Sequence, residues 1–445
     1  MEIESTKMGK RLKFQKMLGF LRQSLEGVPE HRSGQNTQYS IAEAGLSAFS
    51  VFYMQSPSFL AHQRDMQRKD GRNNAQGLFG IERIPSDGQI RNLLDPVEPA
   101  QLREPFWEIY RHLDQGGYLD EYRGVDGTRL ISLDGSQYFS SQEIHCPNCR
   151  VVVRDEETYY SHLVILAVLG APGQKQVFCM DPEFITPQDG HEKQDCEQQA
   201  IKRWVKRNAK RFEPWSVTIL ADDLHCHQPL CEQLLQHKMH FILTCKPESH
   251  QALYEELALL ERVEGAISTK VVRHWNGRYY ERRVYRWADH LPLRGDAKTL
   301  LVSWCEVTIH NEATDQQLYH NAWATDYALN EQRVVEVVAE GRSRWKVENE
   351  GFNVLKNRGY NFEHNYGHGQ QHLSMVLLTL LTLAFLFHSV LDLSCAMYQA
   401  VRHELGARRT FFNDLRALTR YLYFASWQQL LTFMYQRLDL APEPG

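Results

Sequence analysis

The sequence predicts an α/β fold, a mixed sheet with flanking helices, and two observations lead to this expectation. Apolar segments rich in β-branched residues, such as LISLDGSQYFSS, SHLVILAVLGAPG and WSVTILADD, have the composition of strands. Amphipathic segments with a helical period, such as CEQQAIKRWVKRNAKRF, separate or follow them. Three strands, a helix, a strand, a helix and a strand, in that order, are typical of a layered α/β domain.

The chain outside these segments is mainly helical, apart from one block rich in aromatic and β-branched residues. Basic residues gather near the start of the chain and around residues 68–72, which predicts a DNA-binding region, with a solvated helix face as the alternative. The boundaries that we predict are 1–125 for this helical N-terminal region, 126–248 for the first part of the α/β domain, 249–330 for a β-rich insertion, 331–400 for the second part of the domain, and 401–445 for a helical C-terminal tail.

Composition places the protein among ordinary globular chains. It has 445 residues, 42% of them hydrophobic and 24% charged, and a formal net charge of -5. A nucleic-acid-binding face would therefore depend on a local excess of basic residues. Nine cysteines at irregular spacing suit a reducing compartment, so we expect a cytoplasmic location.

One segment, residues 373–387 (LSMVLLTLLTLAFLF), is strongly apolar. It falls short of the roughly 20 residues that span a bilayer. We therefore expect a buried core helix and no membrane partner.

Three acidic residues stand out by their position. Asp134 lies inside the first predicted strand, Asp222 follows a later apolar strand, and Glu348 lies on a helix after the β-rich block. Asp126, Asp223 and Glu350 are the respective alternatives, one for each position. Carboxylates that converge from neighbouring strands suit hard divalent cations, which prefer oxygen ligands.

Helix periodicity favours Glu348 over Glu350. At 100° per residue, Trp345, Phe352 and Leu355 fall within about 60° of Glu348, whereas Glu350 lies about 200° away. The prediction is that Glu348 faces the core, with Arg344 one turn earlier. Two Mg²⁺ or Mn²⁺ ions held by the three acids could activate a water molecule or a 3′-hydroxyl for in-line phosphoryl transfer.

The order strand-Asp, strand-Asp, β-rich insertion, helix-Glu resembles that of the DDE transposases of bacterial insertion sequences. The likeness is to the branch that has a β insertion between the second Asp and the Glu, and it covers about residues 126–390. In RWKVENEGFNVLK, Arg344 and Glu348 match the family's spacing of Arg, three residues and Glu. Two positions depart from the family's pattern: Leu355 replaces a Lys, with Lys356 following it, and Gly341 replaces a Tyr.

The resemblance implies an RNase H-like catalytic domain with Asp134, Asp222 and Glu348 as catalytic metal ligands. It implies metal-dependent cleavage at transposon ends and strand transfer into target DNA. The partners would be the two double-stranded DNAs and a second copy of the chain, on the bacterial nucleoid. The rival expectation is a DNA-binding protein of transposase descent that no longer cuts.

Seven basic residues are candidates for DNA contact. Five of them lie on the basic helix, which is the segment CEQQAIKRWVKRNAKRF, and for these five a solvated surface is the alternative. They are Lys202, Arg203, Lys206, Arg207, Lys210, Arg344 and Lys356.

A CxxC pair, Cys146 and Cys149, raises the question of a zinc site. His162 and several later His and Cys residues could complete it, but none stands at a standard paired spacing. We therefore expect buried or turn cysteines without zinc. The exit from the Glu helix, residues 356–369, is polar and Gly-rich. Contact with DNA or with the metals through His364 and His368 is the less favoured interpretation of this segment.

Overall fold

The computed structural model describes residues 12–33, 37–67, 73–187 and 196–440. The basic residues at 1–11 and 68–72, on which the N-terminal DNA-binding prediction partly rests, lie outside the described residues. The first described region is helical, as expected. Its helices are α1 (Phe14–Glu26), α2 (Ile41–Tyr53), α3 (Phe59–Met66), α4 (Asn74–Phe79), α5 (Asp87–Leu94) and α6 (Glu104–Gln115).

Side-chain caps fix where two of these helices begin. The Ser40 hydroxyl accepts a hydrogen bond from the Glu43 N–H, and the Glu43 carboxylate accepts one from the Ser40 N–H. Ser86 and Gln89 form the same reciprocal pair at the start of α5. Such capping boxes pair backbone N–H groups that have no partner inside the helix.

A mixed sheet dominates the middle of the chain, so the α/β prediction is confirmed at this level. Its central strands are β1 (Arg129–Ser141), β2 (Arg150–Arg154), β3 (Glu157–Gly170), β6 (Val217–Ala221) and β7 (His240–Thr244). They lie in the order β2-β3-β1-β6-β7. β1, β6 and β7 run parallel, whereas β3 is antiparallel to β1. Two short strands, β4 (Phe178–Cys179) and β5 (Glu183–Ile185), pair with β3.

The predicted β-rich block extends this same sheet. It contains β8 (Ser268–Trp275), β9 (Tyr280–Pro292), β10 (Leu301–Asn311) and β11 (Gln317–Thr325), all antiparallel to their neighbours. β11 pairs with β7, where Trp323 lies opposite Thr244. The insertion therefore continues from the edge of the central strands.

Helices cover both faces of the sheet. On one face lie α7 (Glu197–Asn208), α8 (Gln228–Gln236) and α9 (Gln251–Leu260), with Trp204 packed in a core that also contains Ile219 and Phe241. On the other face lies α10 (Arg333–Ser343), whose Val334 and Val337 share a core with Leu130 and Leu220. Alternate residues of a strand point to opposite faces of the sheet. Val217, Ile219 and Ala221 of β6 are therefore buried beneath α7, α8 and α9, whereas Leu220 is buried beneath α10.

The Glu helix differs from the prediction. A π-helical turn occupies Val347–Phe352, between α10 and α11 (Asn353–Asn357). The prediction that Trp345 and Glu348 face the core is wrong, since their exposed fractions are 44% and 50%. A π-helical turn contains an extra residue, so the residues on either side of it no longer follow the rotation of 100° per residue on which the prediction was based. Lys346 and Val347 occupy the buried positions instead.

The apolar segment forms the buried helix α12 (Leu373–Ser394), as expected. Within the described residues it is the one helix long and apolar enough to cross a membrane. However, 94% of its most apolar window is buried inside the protein. Phe387 of α12 lies against Phe14 and Phe49 of the N-terminal helices. α12 is thus the centre of the helical part of the molecule.

The C-terminal helices pack onto the N-terminal ones. They are α13 (Ala396–Glu404), α14 (Arg408–Tyr421) and α15 (Trp427–Arg437). Trp427 lies 5.2 Å from Phe14 between ring centroids, and Arg420 forms an ion pair of 2.8 Å with Asp65. The buried Asn74 amide donates to the carbonyls of Thr419 and Leu422. The two ends of the chain therefore contribute to one hydrophobic core.

Candidate active site

The register of two parallel strands brings Asp134 and Asp222 together. Ser132 of β1 lies opposite Leu220 of β6, so two further residues along each strand lead to Asp134 and Asp222. Asp134 lies four residues after Leu130 on the same strand, so its side chain points to the same face of the sheet, which is the face covered by α10. The predicted strand positions of both residues are those of the structure.

Arg344 links Glu348 to Asp134. Its guanidinium lies 2.7 Å from a Glu348 oxygen and 3.8 Å from an Asp134 oxygen. Glu348 stands on the π-helical turn, which packs against β1 and β3. Asp134, Asp222 and Glu348 thus meet at one place although the sequence separates them widely.

Asp134 is the most perturbed of the three acids. Burial raises the pKa of its carboxyl to about 7, and the negative charges of Asp222 and Glu348 add to this effect. Arg344 and the backbone N–H of Gly135, 3.0 Å from an Asp134 oxygen, act in the opposite direction. A carboxyl whose pKa is raised by the charges of neighbouring carboxylates is a favourable setting for a cation.

One carboxylate oxygen of Asp222 is buried and unpaired. Among the described residues this Oδ1 has no hydrogen-bond partner, and the Nε2 of His225 lies 3.6 Å from it. Burial lowers the pKa of His225, although the Asp222 charge opposes the shift. A buried carboxylate oxygen without a partner is costly, and metal coordination would remove that cost.

A fourth acid, Glu197, stands near Asp222 and was not predicted. Its carboxylate lies 3.9 Å from the His225 ring and covers Gly135, where an added Cβ would come within 2.5 Å of it. Burial and the Asp222 charge raise the pKa of Glu197. The sequence marks Glu197 only as the first residue of a basic helix, so no pattern in it indicated this position.

The alternative acids have other contacts. Asp126 precedes β1 in a tight turn and pairs with Arg333 at 3.0 Å. Asp223 accepts hydrogen bonds from the Lys246 N–H and the Ser249 hydroxyl, and so holds the loop after β7. Glu350 acts electrostatically on the buried Lys346. These contacts favour Asp134, Asp222 and Glu348 as the group that could share a cation.

The basic candidates fall into two groups. Arg203 and Arg207 form ion pairs with the buried Glu183, and Arg207 also pairs with Asp181 at 2.8 Å, so these two guanidinium groups stabilise the interior. Lys356 pairs with Glu363 at 2.9 Å. The lysines of the basic helix are more accessible: Lys206 and Lys210 are exposed and Lys202 is half-buried.

Gly341, which stands where the resembling family has Tyr, is packed closely. A Cβ at this position would lie 2.6 Å from the Trp323 ring nitrogen. Trp323 belongs to β11, within the extension of the sheet. The absence of a side chain at Gly341 therefore allows α10 to approach that strand.

An open cleft of about 560 Å³ lies beside Asp222, which is the member of the three acids that lines it. Asp222 and Arg344 line it together with Lys246 and Asn321. The oxygen-rich donor set and the unpaired Asp222 oxygen fit a hard divalent cation such as Mg²⁺ or Mn²⁺. Comparison with protein-family models finds no match for this chain, and comparison with curated proteins finds none either.

Proposed function

We propose that this protein is a DNA transposase of the DDE type with an RNase H-like catalytic domain. One observation carries the proposal: Asp134 and Asp222 lie side by side where the pairing of two parallel strands ends, and Arg344 contacts both Asp134 and Glu348, which comes from a distant helical turn. The arrangement of three strands, a helix, a strand, a helix and a strand supports the RNase H-like assignment. The β extension between Asp222 and Glu348 supports the branch of the family with an insertion.

In this proposal the three carboxylates hold two Mg²⁺ or Mn²⁺ ions. Such ions activate the attacking oxygen and stabilise the leaving oxygen of an in-line displacement at phosphorus. Asp134 and Asp222 supply ligands from rigid strands, and Glu348 supplies one from the π-helical turn. Arg344 keeps Glu348 in place and can contact a phosphate oxygen of the DNA.

The proposed substrates are the two ends of a transposable element and a target DNA. Lys202, Lys206 and Lys210 are the residues of the basic helix best able to reach a phosphate backbone, because Arg203 and Arg207 are paired with buried acids. Joining two ends requires two catalytic sites, so the working form would be a homodimer on DNA. The location would be the bacterial cytoplasm, on the nucleoid.

The test is cleavage of a linear DNA that carries the ends of the element in which the gene lies. Divalent cations are removed by gel filtration and Mg²⁺ is then added back. Wild type, Asp134→Ala and Asp222→Ala are compared, with Asp126→Ala as the matched control because it removes an Asp that also precedes a Gly but lies outside the site. We expect Mg²⁺-dependent cutting by wild type and Asp126→Ala, and loss by on the order of 100-fold or more in the other two.

DNA binding is measured in parallel by gel shift. Retained binding by the inactive variants would separate loss of chemistry from loss of folding. If wild type binds the ends but does not cut them with Mg²⁺ or Mn²⁺, the protein is instead a non-catalytic DNA-binding protein of transposase descent.

A further inference from the structure

A second cluster of metal-ligating side chains lies outside the acidic site. Cys146 and Cys149 stand in the loop between β1 and β2, His162 stands in β3, and His368 stands in the segment that leads into α12. All four are buried, with exposed fractions of 8% or less. One ligand atom from each lies within 4.8 Å of the other three.

The distances between the ligand atoms are those of a tetrahedron. The two sulfurs are 3.9 Å apart, and the His162 and His368 Nε2 atoms are 3.1 Å apart. The Nε2 of His162 lies 3.5 Å from each sulfur, and the Nε2 of His368 lies 3.4 Å from the Cys149 sulfur. A tetrahedral zinc ion would separate two sulfurs by about 3.8 Å, a sulfur and a nitrogen by about 3.5 Å, and two nitrogens by about 3.3 Å.

The surroundings orient the ligands. The other ring nitrogen of His368 lies 3.0 Å from the Gly369 carbonyl and donates to it, which leaves Nε2 free to coordinate. The Cys149 N–H donates to the Cys146 carbonyl and closes the turn between the two thiols. The rings of Tyr138 and Phe139 lie against the two histidines, so the centre is enclosed by apolar groups.

We propose that Cys146, Cys149, His162 and His368 form a structural zinc site. Two thiolates and two neutral imidazoles are the soft ligands that zinc takes, and binding would release the two thiol protons. The +2 charge of the ion and the two thiolate charges cancel, which suits a buried centre. All four positions of the tetrahedron belong to the protein, so the site has no place for a substrate.

The site fastens two parts of the chain that are distant in sequence. The β1–β2 loop and β3 belong to the sheet, whereas His368 belongs to the connection between the Glu348 turn and α12. Asn148, inside the CxxC turn, donates to the Gln371 carbonyl at 2.6 Å. The Asp95 carboxylate accepts from the backbone N–H groups of Gln370, Gln371 and Leu373. Zinc would thus join the sheet to the helical part of the molecule at the start of α12.

A disulfide between Cys146 and Cys149 is the competing chemistry. The sulfurs are much farther apart than the roughly 2.05 Å of a disulfide bond. Oxidation would also leave the two imidazole nitrogens facing each other without a shared ligand. The zinc assignment uses all four groups.

The test measures metal in the full-length protein, purified without a chelator. Elemental analysis is expected to find about one zinc per chain, falling at least tenfold in Cys149→Ser and His368→Ala. Cys196→Ser, which changes an exposed cysteine outside the cluster, is the matched control and should retain its zinc. Replacement of zinc by Co²⁺ should give the visible absorption of tetrahedral cobalt with thiolate ligands.

Wild-type protein alone can overturn the proposal, whether or not the variants fold. Folded wild type that contains less than about a tenth of a zinc per chain and gives no cobalt spectrum would exclude the site. A Cys146–Cys149 disulfide, detected by thiol titration of the unfolded protein, would exclude it as well.

Discussion

Asp134→Asn should stabilise the protein when no divalent cation is present and should remove its response to Mg²⁺. The Asp134 side chain is only 17% exposed, and burial together with Asp222 and Glu348 raises its pKa from 3.8 to about 7. The folded state therefore holds this proton more tightly than the unfolded chain. The resulting stabilisation is complete below about pH 4 and is lost as the pH rises through about 7.

The magnitude follows from the size of the shift. About three pH units, at 1.36 kcal/mol for each, set an upper bound of about 4 kcal/mol for the cost of a charged Asp134 above pH 7. Relaxation of the neighbouring charges reduces this cost, so we expect Asp134→Asn to be more stable than wild type by about 1–3 kcal/mol at pH 8. A divalent cation bound to the ionised carboxylate would offset the same cost.

The assay is thermal unfolding between about pH 4 and pH 8, with and without excess Mg²⁺. In metal-free buffer, Asp134→Asn should unfold a few degrees above wild type at pH 8, and this difference should shrink as the pH falls and become small near pH 4. Mg²⁺ should raise the midpoint of wild type and not that of the variant. Asp126→Asn, in an exposed pair with Arg333, is the control and should follow wild type.

Two results would refute this reasoning. One is that Asp134→Asn is less stable than wild type at pH 8 in the absence of metal. The other is that Mg²⁺ raises the unfolding temperature of both proteins equally. Either outcome would mean that Asp134 is not a destabilised carboxylate linked to a cation.

Three further predictions concern the framework of the site. Arg207→Ala leaves the fully buried Asp181 and the buried Glu183 short of a partner, and should cost about 3–5 kcal/mol of stability. Lys206→Ala, on the exposed side of the same helix, should cost less than about 0.5 kcal/mol; equal losses in a denaturation series would contradict the assignment of these roles. Asp223→Ala removes the acceptor for the Lys246 N–H and the Ser249 hydroxyl, and should lower the free energy of unfolding by about 1–3 kcal/mol. The Mg²⁺-dependent rise in unfolding temperature should persist in this variant. Loss of that rise would identify Asp223, in place of Asp222, as the second metal ligand. Gly341→Ala should destabilise by about 1–3 kcal/mol, because the new Cβ meets the Trp323 ring; an unchanged unfolding temperature would show that α10 can shift without cost.

The composition of the apolar segments was sufficient to locate the strands and, with them, two of the three acids. Asp134 follows the largely apolar residues 130–133 in the segment LISLDGSQYFSS, and Asp222 follows the apolar end of WSVTILADD, so the strand positions of both residues follow from local sequence. The buried helix at 373–394 follows from composition in the same way. Such signals depend on neighbours along the chain, which is why a single sequence contains them.

Features that depend on distant residues were not predictable in the same way. The π-helical turn changes which residues of the Glu348 helix face the core, because a rotation of 100° per residue assumes a regular α-helix without an inserted residue. Arg203 and Arg207 pair with acids of the β5 segment and its approach, which no helical spacing indicates. The Cys₂His₂ cluster takes its ligands from three segments, the last of them 206 residues after His162.

Comparison of Glu348→Gln with Glu350→Gln in the DNA-end cleavage assay tests the central claim most directly. The two substitutions are chemically identical and two residues apart, but only Glu348 contacts Arg344 beside Asp134. We expect Glu350→Gln to cut in Mg²⁺ at nearly the wild-type rate, and Glu348→Gln to lose cutting by on the order of 100-fold or more while still binding the ends. Cutting that survives Glu348→Gln would contradict the three-carboxylate site.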